Sequence, residues 1–351
     1  MNSTLDFSTS TADLLAQQLD KIVLSNLSAG DPVIMTFTVY DGTGTYERDS
    51  WTTTYYADED GKVTISSLAR MWNSYILAES LRQGGFSPSS VLGGIQVTIA
   101  YELEDETTGS CTRRLWYQRR KTGKTLANIT GSIPAIATVK KTFVGAKEPA
   151  VVTVPYQVTV KVTSTYVLNG SVSTRTDSLN YSSSDVFRGL WDVSPSVIAA
   201  LIPTGGVLKE YTAVPTNVIS TLGNGQVRYV LGNYPHGTQL CWLNNYGLWE
   251  TLLFEGSKVG KLERSAETAF AGDDLSAFNL ESMESMTVHT GYVNAAVMEQ
   301  VRDLSDSPLV FVNDGGTWKQ VVVDAVDWEK TVPSNSALTA SVTYRMAQNQ
   351  Y

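Results

Sequence analysis

The run VVTVPYQVTVKVTSTYVLNGSVSTRTDSLNY, residues 151–181, constrains the fold more than any other stretch. Apolar and polar residues alternate on both sides of Asn169-Gly170. Side chains along a strand point to opposite faces in turn, so a period of two predicts strands with one buried face. Asn-Gly tolerates positive φ at two successive positions, which a two-residue hairpin turn requires. The segments PVIMTFTVYDGTG and DSWTTTYYADEDGKVTI repeat the pattern and break at Gly and Asp. Charged residues make up 17% of the chain, below the usual quarter. Ser, Thr, Gly, Val and Tyr carry the surface instead, which favours strands and turns over solvent helices.

Helical periodicity interrupts this at few places. In SSLARMWNSYILAES, Leu68, Met71, Trp72, Tyr75 and Ile76 fall on one face, predicting a helix over 66–82 capped by Ser66 or Ser67. DLLAQQLDKIV reads as a short helix near the start. SSDVFRGLWDVSPSVIAALI predicts a second capped helix over 184–202, restarting at Ser194-Pro195. The pair SSLARMW and SDVFRGLW suggests a degenerate duplication of one strand–helix–hairpin unit. The end of the chain reads strand, helix over Val293 to Asp303, strand, turn, strand, strand. The expected fold is mainly β: two β-sandwich-like domains, each with a packed helix, and a small C-terminal α+β domain. Loss of alternation over 121–150 places the first boundary, giving domains at 1–125, 126–230 and 231–351. KLERSAETAFAGDDLSAFNLESMES is expected to be a charged connection.

IQVTIAYELEDETTGSCTRRLWYQRR reads as a hairpin turning at Thr108-Gly109, which sets Glu104 opposite Arg113 and Asp105 opposite Thr112. The arm continues into RRLWYQRRKTGK, the main basic cluster, with Arg119 and Arg120 as candidate contacts to protein. Interleaved aromatics and arginines also suit single-stranded nucleic acid. A net charge of −9 disfavours that partner for the chain as a whole.

The residues that carry chemistry are sparse. His236 and His289 stand alone, with no second ligand at metal spacing. No nucleophile elbow, P-loop, dinucleotide fingerprint or zinc-protease motif occurs. DEDG and GDD read as turns, not as calcium loops. Neither a cofactor nor a metal is expected, and the chain reads as a non-enzyme. Cys111 and Cys241 are too far apart in sequence to form a motif and are expected to be unpaired thiols. No stretch reaches the roughly 20 apolar residues of a membrane helix, and the N-terminus has no secretory pattern. Synthesis and retention in a cytoplasm, unless the chain leaves inside a larger particle, follows as the expectation.

QLCWLNNYGLWETLLFEG, residues 239–256, packs four aromatics around one tight turn at Asn244–Gly247. Both faces of the second arm are apolar, which suits a strand held between layers better than a sugar platform. Trp242 and Trp249, equidistant from the turn, are expected as cross-strand partners. Trp242, Tyr246, Gly247, Trp249 and Phe254 join Arg119 and Arg120 as candidate packing or assembly residues. The pattern W-L-N-x-Y-G-x-W-E-x-x-x-F resembles a hairpin in structural proteins of tailed phages and prophages of the Bacteroides group. HTGYVNAAVMEQVRDLSDSPLVFV is similar to that family's strand–T-G–helix–L-x-x-S-x-x-V segment, through Thr290, Gly291, Leu304, Ser307 and Val310. DEDGKVTISSLARMW resembles its strand–D-G-x-V-x-I–helix element, through Asp60, Gly61, Val63 and Ile65. Residues 121–230 match least. The resemblance implies a virion protein of a tail or head–tail assembly, whose partners are copies of itself and neighbouring virion proteins. A carbohydrate-binding protein or a tail-associated glycan-cleaving enzyme is the alternative, with a glycan as partner.

Overall fold

The computed structural model describes residues 12–82, 86–122, 138–153, 158–181, 183–185, 188–217, 225–271, 274–329 and 338–347. The fold is mainly β, with 22 strands in five sheets among the described residues.

The first group of elements comprises β1 (Ala12–Leu15), β2 (Ile22–Ser25), β3 (Pro32–Tyr40), β4 (Glu47–Tyr56), β5 (Lys62–Ile65), helix α1 (Leu68–Arg82), β6 (Ile95–Leu103) and β7 (Thr108–Trp116). A five-stranded sheet runs β1-β7-β6-β3-β4, and β2 pairs with β5. Alternation works as the sequence implies. Val33, Met35, Phe37 and Val39 face inward with Ile95, Val97 and Ile99, and α1 covers them with Leu68, Trp72 and Ile76. Phe37 stacks on Trp51, and Trp51 on Tyr75. The opposite face is polar, with hydroxyl pairs Thr36–Thr52, Thr38–Ser50 and Thr98–Thr112. The second layer of this group is therefore α1 and the β2–β5 ribbon.

Local readings fail here where a distant partner wins. The helix cap is Asp20, not Ser66 or Ser67: its side chain accepts from Ala69 N at 2.9 Å and its carbonyl from Leu68 N. Ser67 instead takes φ +65°, turning the chain from β5 into the helix. DLLAQQLDKIV is β1, a 3-10 turn (Ala16–Leu19) and the start of β2, because β1 joins the sheet edge in parallel with β7. The β6–β7 turn lies at Glu104–Glu106, so Arg113 stands opposite Val97 and not Glu104. Glu106 takes φ +65°, and Asp105 accepts from Thr107 N, which closes the turn before Thr108-Gly109 is reached.

The second group holds β8 (Val139–Thr142), β9 (Pro149–Thr153), β10 (Val158–Leu168), β11 (Ser171–Leu179), β12 (Ser183–Asp185), β13 (Arg188–Asp192), the short helix α2 (Pro195–Ala199), β14 (Val207–Asn217) and β15 (Val227–Leu231). A five-stranded sheet, β11-β10-β14-β15-β8, faces a three-stranded one, β12-β13-β9. Asn169 and Gly170 both take positive φ between Leu168 and Ser171, forming the tight hairpin. The boundary expected over 121–150 falls partly on residues 123–137, outside the described residues.

The helix expected over 184–202 is a correction. Among the described residues of that stretch only Pro195–Ala199 is helical, and Ser183–Asp185 pairs with Arg188–Leu190 as antiparallel strands. The proposed duplication falls with it, since SSLARMW leads into a helix and SDVFRGLW into a strand. The physical reason is burial on both faces. Leu190 and Val151 point into the first core, while Trp191, Ala150 and Val152 point into the second. A strand fully covered on both sides shows no alternation and mimics a helical apolar run.

The third group holds β16 (Thr238–Leu243), β17 (Trp249–Phe254), β18 (Lys258–Ala271), β19 (Asp274–His289), α3 (Ala295–Ser305), β20 (Val310–Asp314), β21 (Thr317–Glu329) and β22 (Thr339–Met346). They form one seven-stranded sheet, β17-β16-β20-β21-β22-β19-β18, with α3 packed on it through Met298, Val301 and Leu304. Asn294 caps α3 by accepting from Val297 N. The stretch expected as a charged connection is the β18–β19 ribbon. Among the described residues no helix is long and apolar enough to cross a membrane.

Cys111 and Cys241 are both buried, neither is in a disulfide, and both line the first core. Burial pushes the Cys241 thiol well above its ordinary pKa. The folded protein is therefore expected to resist a thiol reagent, and unfolding without reductant should release two reactive thiols. Finding none after unfolding would refute unpaired cysteines.

Candidate functional site

The β16–β17 hairpin is where the three groups meet. Its two faces enter different cores. Leu240, Trp242 and Phe254 belong to the third core, while Cys241, Leu243, Leu248 and Trp249 belong to the first. The expected cross-strand pairing of Trp242 with Trp249 is corrected accordingly. Trp242 stands opposite Glu250, and Trp249 opposite Leu243. A loop from Asn244 to Leu248 offsets the pair by one residue, and a one-residue offset sends side chains to opposite faces.

Each tryptophan is buried with its N–H satisfied. Trp242 Nε1 donates to Asp303 Oδ2 on α3 at 2.9 Å. Trp249 Nε1 donates to Ser90 O at 2.6 Å, and its ring meets Phe311 edge-on at 5.7 Å. Phe254 lies at the far end of the hairpin, opposite Thr238, and takes no part in the tip. The turn is organised from within by Asn244, whose Oδ1 accepts from Tyr246 N and Leu248 N. Gly247 takes φ +69°, and a Cβ there would come within 2.8 Å of Leu92 and Tyr117.

The basic arm after β7 grips this turn. Arg119 N donates to Asn245 O, and Arg120 N to Asn245 Oδ1 at 2.7 Å. Arg119 pairs with Asp303 Oδ1 at 2.6 Å and also donates to the Asp303 carbonyl. Arg120 pairs with Asp306. Tyr246 Oη shares a hydrogen bond with Thr122. Burial raises the Asp303 carboxyl above its usual range, against the pull of Trp242, Arg119 and Arg120. Arg119 and Arg120 thus use their charge within the chain, and Arg119 is largely covered.

Two features of the junction were not legible in the sequence. Arg188 on β13 is fully buried and donates to the carbonyls of Gly247 and Tyr246, both at 2.9 Å, and of Leu92 at 3.3 Å. Its guanidinium lies 5.0 Å from the centre of the Trp116 ring. One side chain therefore ties the second group to the first and the third. The other is a buried polar cluster at Lys140, Glu148 and Glu250. Glu250 carried a usable signal: a carboxylate inside an otherwise apolar strand rarely goes unpaired. Arg188 carried none, because its partners are main-chain oxygens far away in sequence.

Among the described residues no group of three or more His, Cys, Asp and Glu side chains is placed to hold a metal ion. No family model matches the chain. No curated protein matches it either. Among solved structures it is similar to a chain of the virion of a native gene transfer agent particle. That likeness has 11% identity and a TM-score of 0.23, and spans 33% of this chain and 95% of that one.

Proposed function

We propose that the chain is a structural subunit of a phage-like particle, working through protein contacts and not through turnover. The observation that carries this is the β18–β19 ribbon. The two strands pair with each other from Lys258–Val288 out to Ala271–Asp274. Among the described residues, β19 joins the rest of the sheet only through Met286–His289, opposite β22. From Lys261 and Ser285 outward, neither strand pairs with a third one among the described residues. At about 3.3 Å per residue this leaves an arm of roughly 35 Å.

A two-stranded ribbon is marginal in water by itself, and its free edges offer unpaired N–H and C=O groups to another chain. At its base Val259, Leu262 and Met283 are exposed. Lys261 and Glu263 beside them supply charge, which discourages unselective pairing while leaving the backbone edge open to a fitting partner. The buried, hydrogen-bonded junction supplies the anchor from which such an arm works. The partner in this reading is another copy or a neighbouring tail or head–tail protein, and the location is the virion. The motifs at the hairpin, α1 and α3 that resemble tail structural proteins go with it.

Light scattering after size exclusion tests the reading. The whole chain is expected to associate as concentration rises. A variant with residues 262–284 replaced by a short Gly-Ser turn should remain folded and monomeric. A wild-type chain that stays monomeric at every concentration, or a shortened arm that leaves the oligomer intact, overturns it.

A further inference from the structure

Strand β8 is inside out. Its apolar Val139 is 54% exposed, while Lys140 and Thr142 point inward. A buried lysine on a strand that shows its valine to water needs a reason. Lys140 Nζ lies 3.1 Å from Glu250 Oε1 on β17 and 3.2 Å from Thr251 Oγ1. Gln300 Nε2, from α3, donates to the same Glu250 oxygen at 2.8 Å. Glu148, just before β9, completes the cluster. Its Oε1 accepts from Thr142 Oγ1 and Gln239 Nε2, each at 3.0 Å, and its Oε2 from Thr251 Oγ1 at 2.5 Å. Glu148 and Glu250 are 2% and 1% exposed. Tyr211 and Tyr229, stacked 4.7 Å apart, and Cys241 are buried near enough for the charge of Glu148 to act on their titration.

We propose that Lys140 and Glu250 condense into an intramolecular amide, with Glu148 carrying the protons through Thr251. The fold holds amine and carboxyl in contact, which replaces a bimolecular encounter with an oriented one. In the first step the ammonium of Lys140 passes a proton to Glu250 across their contact, which leaves an amine lone pair free to attack. The lysine nitrogen attacks the Glu250 carboxyl carbon and a C–N bond forms. Gln300 donates to the oxygen on which negative charge develops. The nitrogen then loses a proton and the departing hydroxyl gains one. Glu148 takes the proton from the nitrogen through Thr251 and gives it to the hydroxyl, ending as it began. The C–O bond breaks and one water leaves. No oxidant or further reactant is needed, since ammonium plus carboxylate gives amide plus water. Burial raises the pKa of Glu148 against the pull of Lys140 and its hydroxyl donors, which favours its taking up the proton from the nitrogen. The product removes two buried charges, and closure of the core to water protects it from hydrolysis. The link would join the second group of elements to the third.

Intact mass of the denatured wild-type protein is the test. It should lie one water below the mass of the sequence. A tryptic digest should then contain a branched peptide joining Lys140 to Glu250, with no cleavage after Lys140. Lys140→Met should return the full mass, and Glu148→Gln should return it wholly or in large part. A wild-type protein at full mass overturns the proposal, as does a water loss that maps elsewhere. An undiminished water loss in Glu148→Gln overturns the role of Glu148.

Discussion

Arg188→Ala is expected to destabilise the protein by about 3–5 kcal/mol, or to leave it insoluble. The side chain is fully buried and serves three main-chain carbonyls, those of Leu92, Tyr246 and Gly247. A buried acceptor that loses its donor costs about 1–3 kcal/mol. Three such losses overlap, and the cavity left against Trp116 adds to them. Few single changes reach this size, and those that do sever a buried network or open a hole in a core. Arg188→Lys keeps a charge and a donor but not the planar fork, so it should recover only part of the loss. Urea unfolding at equilibrium measures both variants. A loss below about 1 kcal/mol for alanine would mean that water satisfies the three carbonyls, and that the groups are not tied at this point.

Trp249→Ala should cost about 3–5 kcal/mol, the usual range for emptying a buried tryptophan site. The indole fills the first core beside Phe311 and satisfies the Ser90 carbonyl. Trp249→Phe keeps the aromatic body and loses the N–H, so it should fold and lose about 1–2 kcal/mol. The same change at Trp242 removes the bond to Asp303 instead. Because the two rings enter different cores, the paired Phe variant should be additive to within about 0.5 kcal/mol. Cross-strand partners would show a larger coupling. Denaturant curves for the two single variants and the double one decide between these geometries. If Trp249→Ala stayed fully stable and lost only affinity for a sugar, the packing role would be wrong.

Much of the strand content was readable because half-buried strands advertise themselves. In β3 and β10 a solvent face alternates with a core face, and the Asn169-Gly170 turn needs only its own two residues. Helix α1 was readable for the same reason, as one face meets a sheet and the other meets water. The apolar character of both hairpin faces pointed to a layer between layers, and the structure places first-core and third-core residues on its two sides.

Other features depend on partners that local patterns do not contain. Strand β13 is covered on both sides, so its period is erased and the stretch reads as helix. The outer part of the β18–β19 ribbon joins no third strand among the described residues, and its charged sequence reads as a loop. The α1 cap comes from Asp20, 49 residues away, and the offset between Trp242 and Trp249 comes from one residue of loop. Lys140 meets Glu250 across 110 positions because two strands happen to be neighbours. Sequence alone therefore determined the elements whose energy is local, in alternating burial and turn conformation. Tertiary structure decided those held by burial on two faces or by hydrogen bonds to distant main-chain oxygens, because there the stabilising partner lies outside any window of neighbouring residues.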